Sequence, residues 1–139
     1  MRRVMVFGTF DNLHPGHLDY FHQARRFGEE LIVVVARDPN VLRIKGRLPQ
    51  ENERQRVRAI RRFLKDNHHV GRAILGGLKN RWLVIKKYRP EVIALGYDQQ
   101  VNLTQLKSEI VKFRLFCKVV KLKPYHPEKY KSSLRRLKN

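Results

Sequence analysis

Gly8-Thr9-Phe10-Asp11-Asn12-Leu13-His14-Pro15-Gly16-His17 separates two segments of different periodicity. Upstream, Val4, Met5, Val6 and Phe7 form an apolar run with the length and content of a buried strand, and Gly8 punctuates its end. Downstream, Leu18, Phe21, Ala24 and Phe27 recur about every three residues, the spacing of one apolar helix face. Proline at 15 suits a first helical turn, where its missing N–H needs no intrahelical acceptor. Glycine at 16 allows a ligand to approach the backbone. A helix beginning here offers unpaired N–H groups and the positive end of its dipole, which together attract an anion.

His14 and His17 stand three residues apart at the mouth of that anion site, so both rings can face one ligand. Paired imidazoles at a helix start can donate to phosphoryl oxygens whose charge grows in a transition state. Two other readings stay open: one histidine caps the turn while the other faces solvent, or both belong to a zinc site. The second lacks an evident third ligand, since the single cysteine, Cys117, falls in an expected strand.

Beyond this join the chain alternates. Leu31 to Ala36 reads as a buried parallel strand ended by Arg37-Asp38-Pro39-Asn40. A basic loop with Arg43, Lys45, Gly46 and Arg47 follows, then a helix over about 51–64 on Val57, Ile60 and Leu64, with Pro49 upstream. Further strands are expected over 70–75, 91–95 and 115–122. Helices are expected over 80–88, with Trp82, Leu83 and Ile85 inward, and over 101–113, on Leu103, Leu106, Ile110 and Phe113. A short basic helix is expected from Ser132 onward. The pattern implies an α/β fold, a Rossmann-like parallel five-stranded sheet with helices on both faces, formed by residues 1–139 as one domain. Ligands in such sheets bind beyond the carboxyl ends of the strands where strand order reverses. His14, His17, Asp38, the 43–47 loop, Gly96-Tyr97-Asp98 and the turn before Ser132 all map to that side.

Thirty-one Lys and Arg against 12 Asp and Glu give a formal net charge of +19, which points to polyanionic partners: nucleotides, phosphorylated substrates, nucleic acid or an anionic membrane. The excess is spread along the chain rather than gathered in a tail, with five basic residues in 1–40, eleven in 41–80 and fifteen in 81–139. One cysteine excludes an intrachain disulfide framework, and no long apolar run suggests a signal peptide or a membrane span. A cytoplasmic enzyme or binding protein is therefore expected.

Gly8-Thr9-Phe10-Asp11 followed by His14-Pro15-Gly16-His17 resembles the signature of the small cytidylyltransferase-like nucleotidyltransferases, which belong to the HIGH superfamily. The likeness continues through Val35-Ala36-Arg37-Asp38, Arg43-Ile44-Lys45-Gly46-Arg47, Glu53-Arg54, Ala94-Leu95-Gly96-Tyr97-Asp98-Gln99 and Ser132-Ser133, where the chain is similar to FAD synthetases of the archaeal type. That resemblance implies an FMN adenylyltransferase of flavin cofactor biosynthesis. ATP and FMN would be its substrates, with Mg²⁺ or another divalent cation held mainly through the nucleotide phosphates, and a homodimer would be expected.

Carried over by residue, the resemblance makes His14, His17 and Lys45 the catalytic group, with Lys45 preferred to Arg47 because a compact ammonium suits a moving phosphate. Gly8, Thr9, Phe10, Gly16, Gly96, Tyr97, Asp98, Ser132 and Ser133 would hold the nucleotide, the last two through a phosphate-binding turn and helix at about 130–139. Asp11, Asp38, Arg43 and Arg54 would serve the acceptor or phosphates, with Asp11 orienting its loop or the phosphate-bound metal. Local readings stand beside these: an Asx-type cap for Asp38, an exposed charge pair for Glu53-Arg54, sheet-edge packing for Tyr97 and a core position for Trp82. Leu134 stands where the family often keeps a third hydroxyl.

The same resemblance admits other acceptors. Glycerol-3-phosphate cytidylyltransferases carry a hydroxyl-rich stretch where this chain has Lys129-Tyr130-Lys131-Ser132-Ser133-Leu134. Phosphopantetheine adenylyltransferases are generally longer, with a threonine-asparagine signature after the first strand. A basic nucleic-acid-binding module without catalysis is the alternative of a different class, motivated by the net charge but lacking aromatic residues interleaved with the basic ones.

Overall fold

The structure, a computed structural model, describes residues 1–99 and 101–125. Among the described residues there are five strands and five helices, with one helix between successive strands except for two between β2 and β3: β1 (Arg3–Gly8), α1 (Pro15–Arg25), β2 (Glu30–Val35), α2 (Asp38–Lys45), α3 (Glu53–Asp66), β3 (Gly71–Leu75), α4 (Leu83–Tyr88), β4 (Val92–Leu95), α5 (Leu103–Lys112) and β5 (Lys118–Lys121). All strand pairs are parallel, in the order β3-β2-β1-β4-β5. This is the expected Rossmann-like sheet. Its order reverses between β1 and β4, which places the ligand crevice beyond Gly8 and Leu95.

Side chains of β1 divide by the two-residue period of a strand. Val4 and Val6 enter a core with Phe21, Ala24, Val57, Ile60 and Leu64, beneath α1 and α3. Met5 and Phe7 face Trp82, Ile85, Leu106 and Ile110, beneath α4 and α5. The sheet is thus covered on both faces. Its central strands read as continuous apolar runs for that reason, and Ile32, Val33 and Val35 are fully buried.

Several boundaries depart from the sequence reading. The 43–47 segment is not a loop throughout: α2 runs from Asp38 to Lys45 and stops at Gly46, which adopts φ +78°. Pro39 sits in its first turn, where proline is tolerated, and only Val41 is buried, so no apolar period announced the helix. Leu83 and Leu103, expected inward, are exposed, whereas Trp82 is buried and meets the edge of Phe7 at 6.4 Å. α4 is also shorter than expected at its start, and β5 begins one residue after Cys117. The expected helix from Ser132 lies outside the described residues.

Candidate active site

At the head of α1 the two histidines close a reciprocal cap. The Gly16 amide donates to His14 Nδ1 at 3.1 Å, and the His14 amide donates to His17 Nδ1 at 3.3 Å. Their rings stack with centroids 3.7 Å apart and planes 24° apart. Because each Nδ1 accepts from a backbone N–H, the proton of each neutral ring resides on Nε2. Burial, and then the neighbouring His14, push the His17 pKa down from 6.5 to about 4, so this ring is neutral near pH 7. The pair therefore combines the capping reading with the phosphate-donor reading: Nδ1 serves the helix and Nε2–H remains for a ligand.

Glycines make this packing possible. A Cβ on Gly16 would lie 2.8 Å from His14 Cε1, so the space expected for a ligand is filled by the capping imidazole. A Cβ on Gly8 would meet the Phe10 ring at 2.6 Å. Phe10 takes φ +56°, a strained value for a side chain of its size, and turns its ring into the core beneath His17, Tyr20 and Phe21. The loop thereby keeps its backbone at the surface and a buried phenylalanine as its anchor.

Across the loop, Lys45 Nζ donates to Thr9 Oγ1 at 3.1 Å. A cleft of about 170 Å³ opens beside them, bordered by Asp11, Arg47, Leu48 and Gln50. Asp11 holds this wall in place: Oδ2 accepts from the Gln50 amide at 2.8 Å and Oδ1 from the Glu51 amide at 2.9 Å. Burial raises its pKa, but these two amides together with Arg56 and Lys45 bring the net value below the ordinary one. Glu51 returns the contact by accepting from the Asn12 amide at 2.8 Å. Asp11 is consequently a loop-orienting carboxylate, with both oxygens engaged by the protein. Among the described residues no group of three His, Cys, Asp or Glu side chains is placed to hold a metal ion.

Asp38 and Glu53 exchange bonds between the starts of α2 and α3: the Glu53 amide donates to Asp38 Oδ2 at 3.1 Å, and the Asp38 amide to Glu53 Oε1 at 2.9 Å. Glu53 pairs with Arg37 at 2.8 Å and not with Arg54, which is exposed. Asp38 Oδ1 accepts from Arg56 at 2.6 Å, leaving neither oxygen free. Arg56, absent from the sequence reading, is fully buried and also donates to Thr9 O at 2.8 Å and Glu51 O at 3.1 Å. Its guanidinium ties the loop after β1, the start of α2 and the loop before α3 to α3 behind the site. The signal was available in helix phase, since Arg56 falls on the inward side with Phe63 rather than with Arg54 and Arg58.

Gln99, which entered the sequence reading only as the end of the Ala94–Gln99 stretch and without a role, fastens the switch point. Its Oε1 accepts from the Gly96 amide at 2.7 Å and from Tyr20 Oη at 3.1 Å, while Nε2 donates to Phe7 O at 2.7 Å. Tyr20 Oη also reaches Ala94 O at 3.1 Å, and burial raises this phenol's pKa. Gly96 is buried against Tyr20 and Gln99, whereas Tyr97 and Asp98 are exposed at the carboxyl end of β4. A larger cleft, about 520 Å³, lies alongside, between Leu95, Gln99, Asn102, Lys107 and Lys121. Arg43 is exposed near the end of α2. Ser132 and Ser133, with Leu134, lie outside the described residues.

The stacked histidine pair at the head of α1 and the cleft beside Thr9 and Lys45 both lie beyond the carboxyl end of β1, the side on which parallel α/β sheets hold their ligands. The cytidylyltransferase-like family model matches residues 5–137, and the chain belongs to that family. Curated relatives narrow the class. The FAD synthase of Aciduliprofundum boonei is 43% identical over 126 residues, covering 90% of this chain and 80% of the relative. That of Methanosarcina acetivorans is 40% identical over 123 residues, covering 88% and 77%. Among solved structures, a lipopolysaccharide core biosynthesis protein from Thermoplasma volcanium superposes with a TM-score of 0.79 at 39% identity, over 91% of this chain and 99% of that one.

Proposed function

We propose that this nucleotidyltransferase moves AMP from ATP to the terminal phosphate of FMN, giving FAD and pyrophosphate. The observation that carries the mechanism is the stacked histidine pair, whose Nδ1 atoms are occupied by backbone N–H groups and whose Nε2–H groups are left to donate. The FAD synthase relatives, about 40% identical over most of the chain, direct the choice of acceptor.

An FMN phosphate oxygen attacks the α-phosphorus. The new P–O bond forms as the bond to the α,β-bridging oxygen breaks, and pyrophosphate leaves with the electron pair. No covalent enzyme intermediate is required. His14 and His17 donate to the oxygens on which charge develops, while Lys45, across the loop at Thr9, neutralises the incoming or transferring phosphate. A divalent cation accompanies the triphosphate as part of the substrate. The larger cleft past β4 would take the nucleoside, with the exposed Asp98 accepting from ribose hydroxyls. The smaller one beside Thr9, Lys45 and Arg47 would take the acceptor phosphate. Asp11, Asp38 and Arg56 hold these walls rather than touch the reacting atoms, and Ser132 and Ser133 would add hydroxyl contacts to the β- and γ-phosphates.

Among the described residues no helix is long and apolar enough to cross a membrane. A cytoplasmic homodimer completes the proposal. Phe116, 99% exposed, and Val111, 76% exposed, supply apolar surface for a subunit contact, and sedimentation equilibrium would give the assembly mass.

A pyrophosphate-release screen crossing ATP and CTP with FMN, glycerol 3-phosphate and phosphopantetheine tests the substrates. Release only with ATP and FMN is expected. Turnover only with CTP and glycerol 3-phosphate, or release independent of FMN, would overturn the assignment.

A further inference from the structure

The solvent side of α3 carries Arg54, Arg58, Arg61, Arg62 and Lys65, all exposed. At about 100° per residue these five side chains fall within an arc of about 100°, and they extend over about 16 Å of helix. Val57, Ile60 and Leu64 occupy a separate arc and are buried. Neighbours at i,i+3 and i,i+4 are repeatedly of like charge, an arrangement that weakens a helix in the absence of a counter-charge. None is supplied from within: among the described residues the ion pairs of arginine involve Arg3, Arg37, Arg56 and Arg72. Glu53 is spent on Arg37, and Asp66 lies beyond the rim of the basic arc. Arg61 is steadied by donating to Ala73 O at 3.2 Å.

We propose that this face of α3 docks the phosphate backbone of a polynucleotide, outside the nucleotidyl-transfer cleft. Successive charges at i,i+4 are about 6 Å apart along the helix, a spacing suited to consecutive phosphates and not to one small anion. No aromatic side chain lies within the basic arc to stack on bases, so contacts of its cations to the phosphate backbone carry the binding. A membrane surface fits less well, because the apolar residues of α3 face the core and leave nothing to insert among acyl chains. The exposed apolar residues Ile44, Leu48 and Phe116 belong to other segments.

Fluorescence anisotropy of a labelled oligouridylate, with the cleft saturated by a non-hydrolysable ATP analogue, tests this directly. For five phosphate contacts the affinity should fall about 10²-fold between about 50 and 200 mM salt. A combined Arg58→Gln, Arg62→Gln, Lys65→Gln variant should bind at least about tenfold more weakly at low salt and show a log–log salt slope shallower by about 2. Its turnover of ATP should be unchanged, and its thermal midpoint equal to or above that of the parent, since like-charge repulsion has been removed. The proposal fails if the parent chain does not bind the oligonucleotide at low salt, or if the variant keeps the same affinity and slope. It fails equally if the substitutions abolish binding to phosphatidylglycerol vesicles while leaving RNA binding intact.

Discussion

His14 performs two tasks with two nitrogens, which makes them separable by substitution. His14→Asn retains an oxygen able to cap the helix but removes the Nε2–H donor, so stability should stay within about 1 kcal/mol while turnover falls about 10²–10³-fold. Urea unfolding and steady-state rates would measure the two effects. His17 gives a stability signature instead. The unfolded ring titrates at 6.5 and the folded ring at about 4, so between these values the unfolded chain holds more protons. Its contribution to stability is complete above pH 6.5 and declines as the pH falls toward 4. In His17→Gln, which preserves a capping acceptor without a titrating group, the urea midpoint should lose that part of the acid dependence. Lys45 touches Thr9 whereas Arg47 only borders the cleft, so Lys45→Ala should reduce kcat by at least about tenfold more than Arg47→Ala. Equal small effects in rate assays would return Lys45 to the solvated surface.

Between elements, the buried Arg56 is the tie on which the site's rear wall depends. Removing one partner of a buried, hydrogen-bonded ion pair leaves Asp38 and the Thr9 carbonyl without their donor. Arg56→Met should therefore destabilise the protein by about 3–5 kcal/mol in denaturant titration. This residue shows where sequence reading reached its limit. The imidazoles and Lys45 stood out because their residue types suit phosphate chemistry, and the fold does stack His14 on His17 and bring Lys45 to Thr9, whereas the space at Gly8 and Gly16 is filled by Phe10 and His14. Arg56 stands among four other arginines on α3, and only the phase of the helix distinguishes the one that faces inward. α2 was hidden for a related reason: a helix burying one side chain has no apolar period, and Pro39 in its first turn reads as a terminator. Asp38 and Asp11 looked like ligands because aspartates beside phosphate loops often are. Their bonds to backbone amides and Arg56 form only when distant segments meet.

At the scale of the molecule, alternating apolar runs and amphipathic segments were enough to give the parallel sheet, because the central strands β1, β2 and β4 are buried on both faces and the helices cover them. Topology then brings the end of β1 beside the end of β4, where Gln99 and Tyr20 join residues 92 and 74 positions apart, respectively. No local pattern announces such a bond. The net charge of +19 was legible as a total, but which basic residues line the clefts and which lie on the outer face of α3 follows only from the fold. Family membership and the histidine geometry converge on nucleotidyl transfer, and the acceptor is the central chemical claim. Chromatographic quantification of FAD and pyrophosphate from ATP and FMN, with the parent chain and His14→Asn side by side, tests it most directly. The account predicts equimolar FAD and pyrophosphate from the parent and at least about a hundredfold slower formation of both by the variant. Pyrophosphate without FAD, or equal FAD formation by the two proteins, would contradict it.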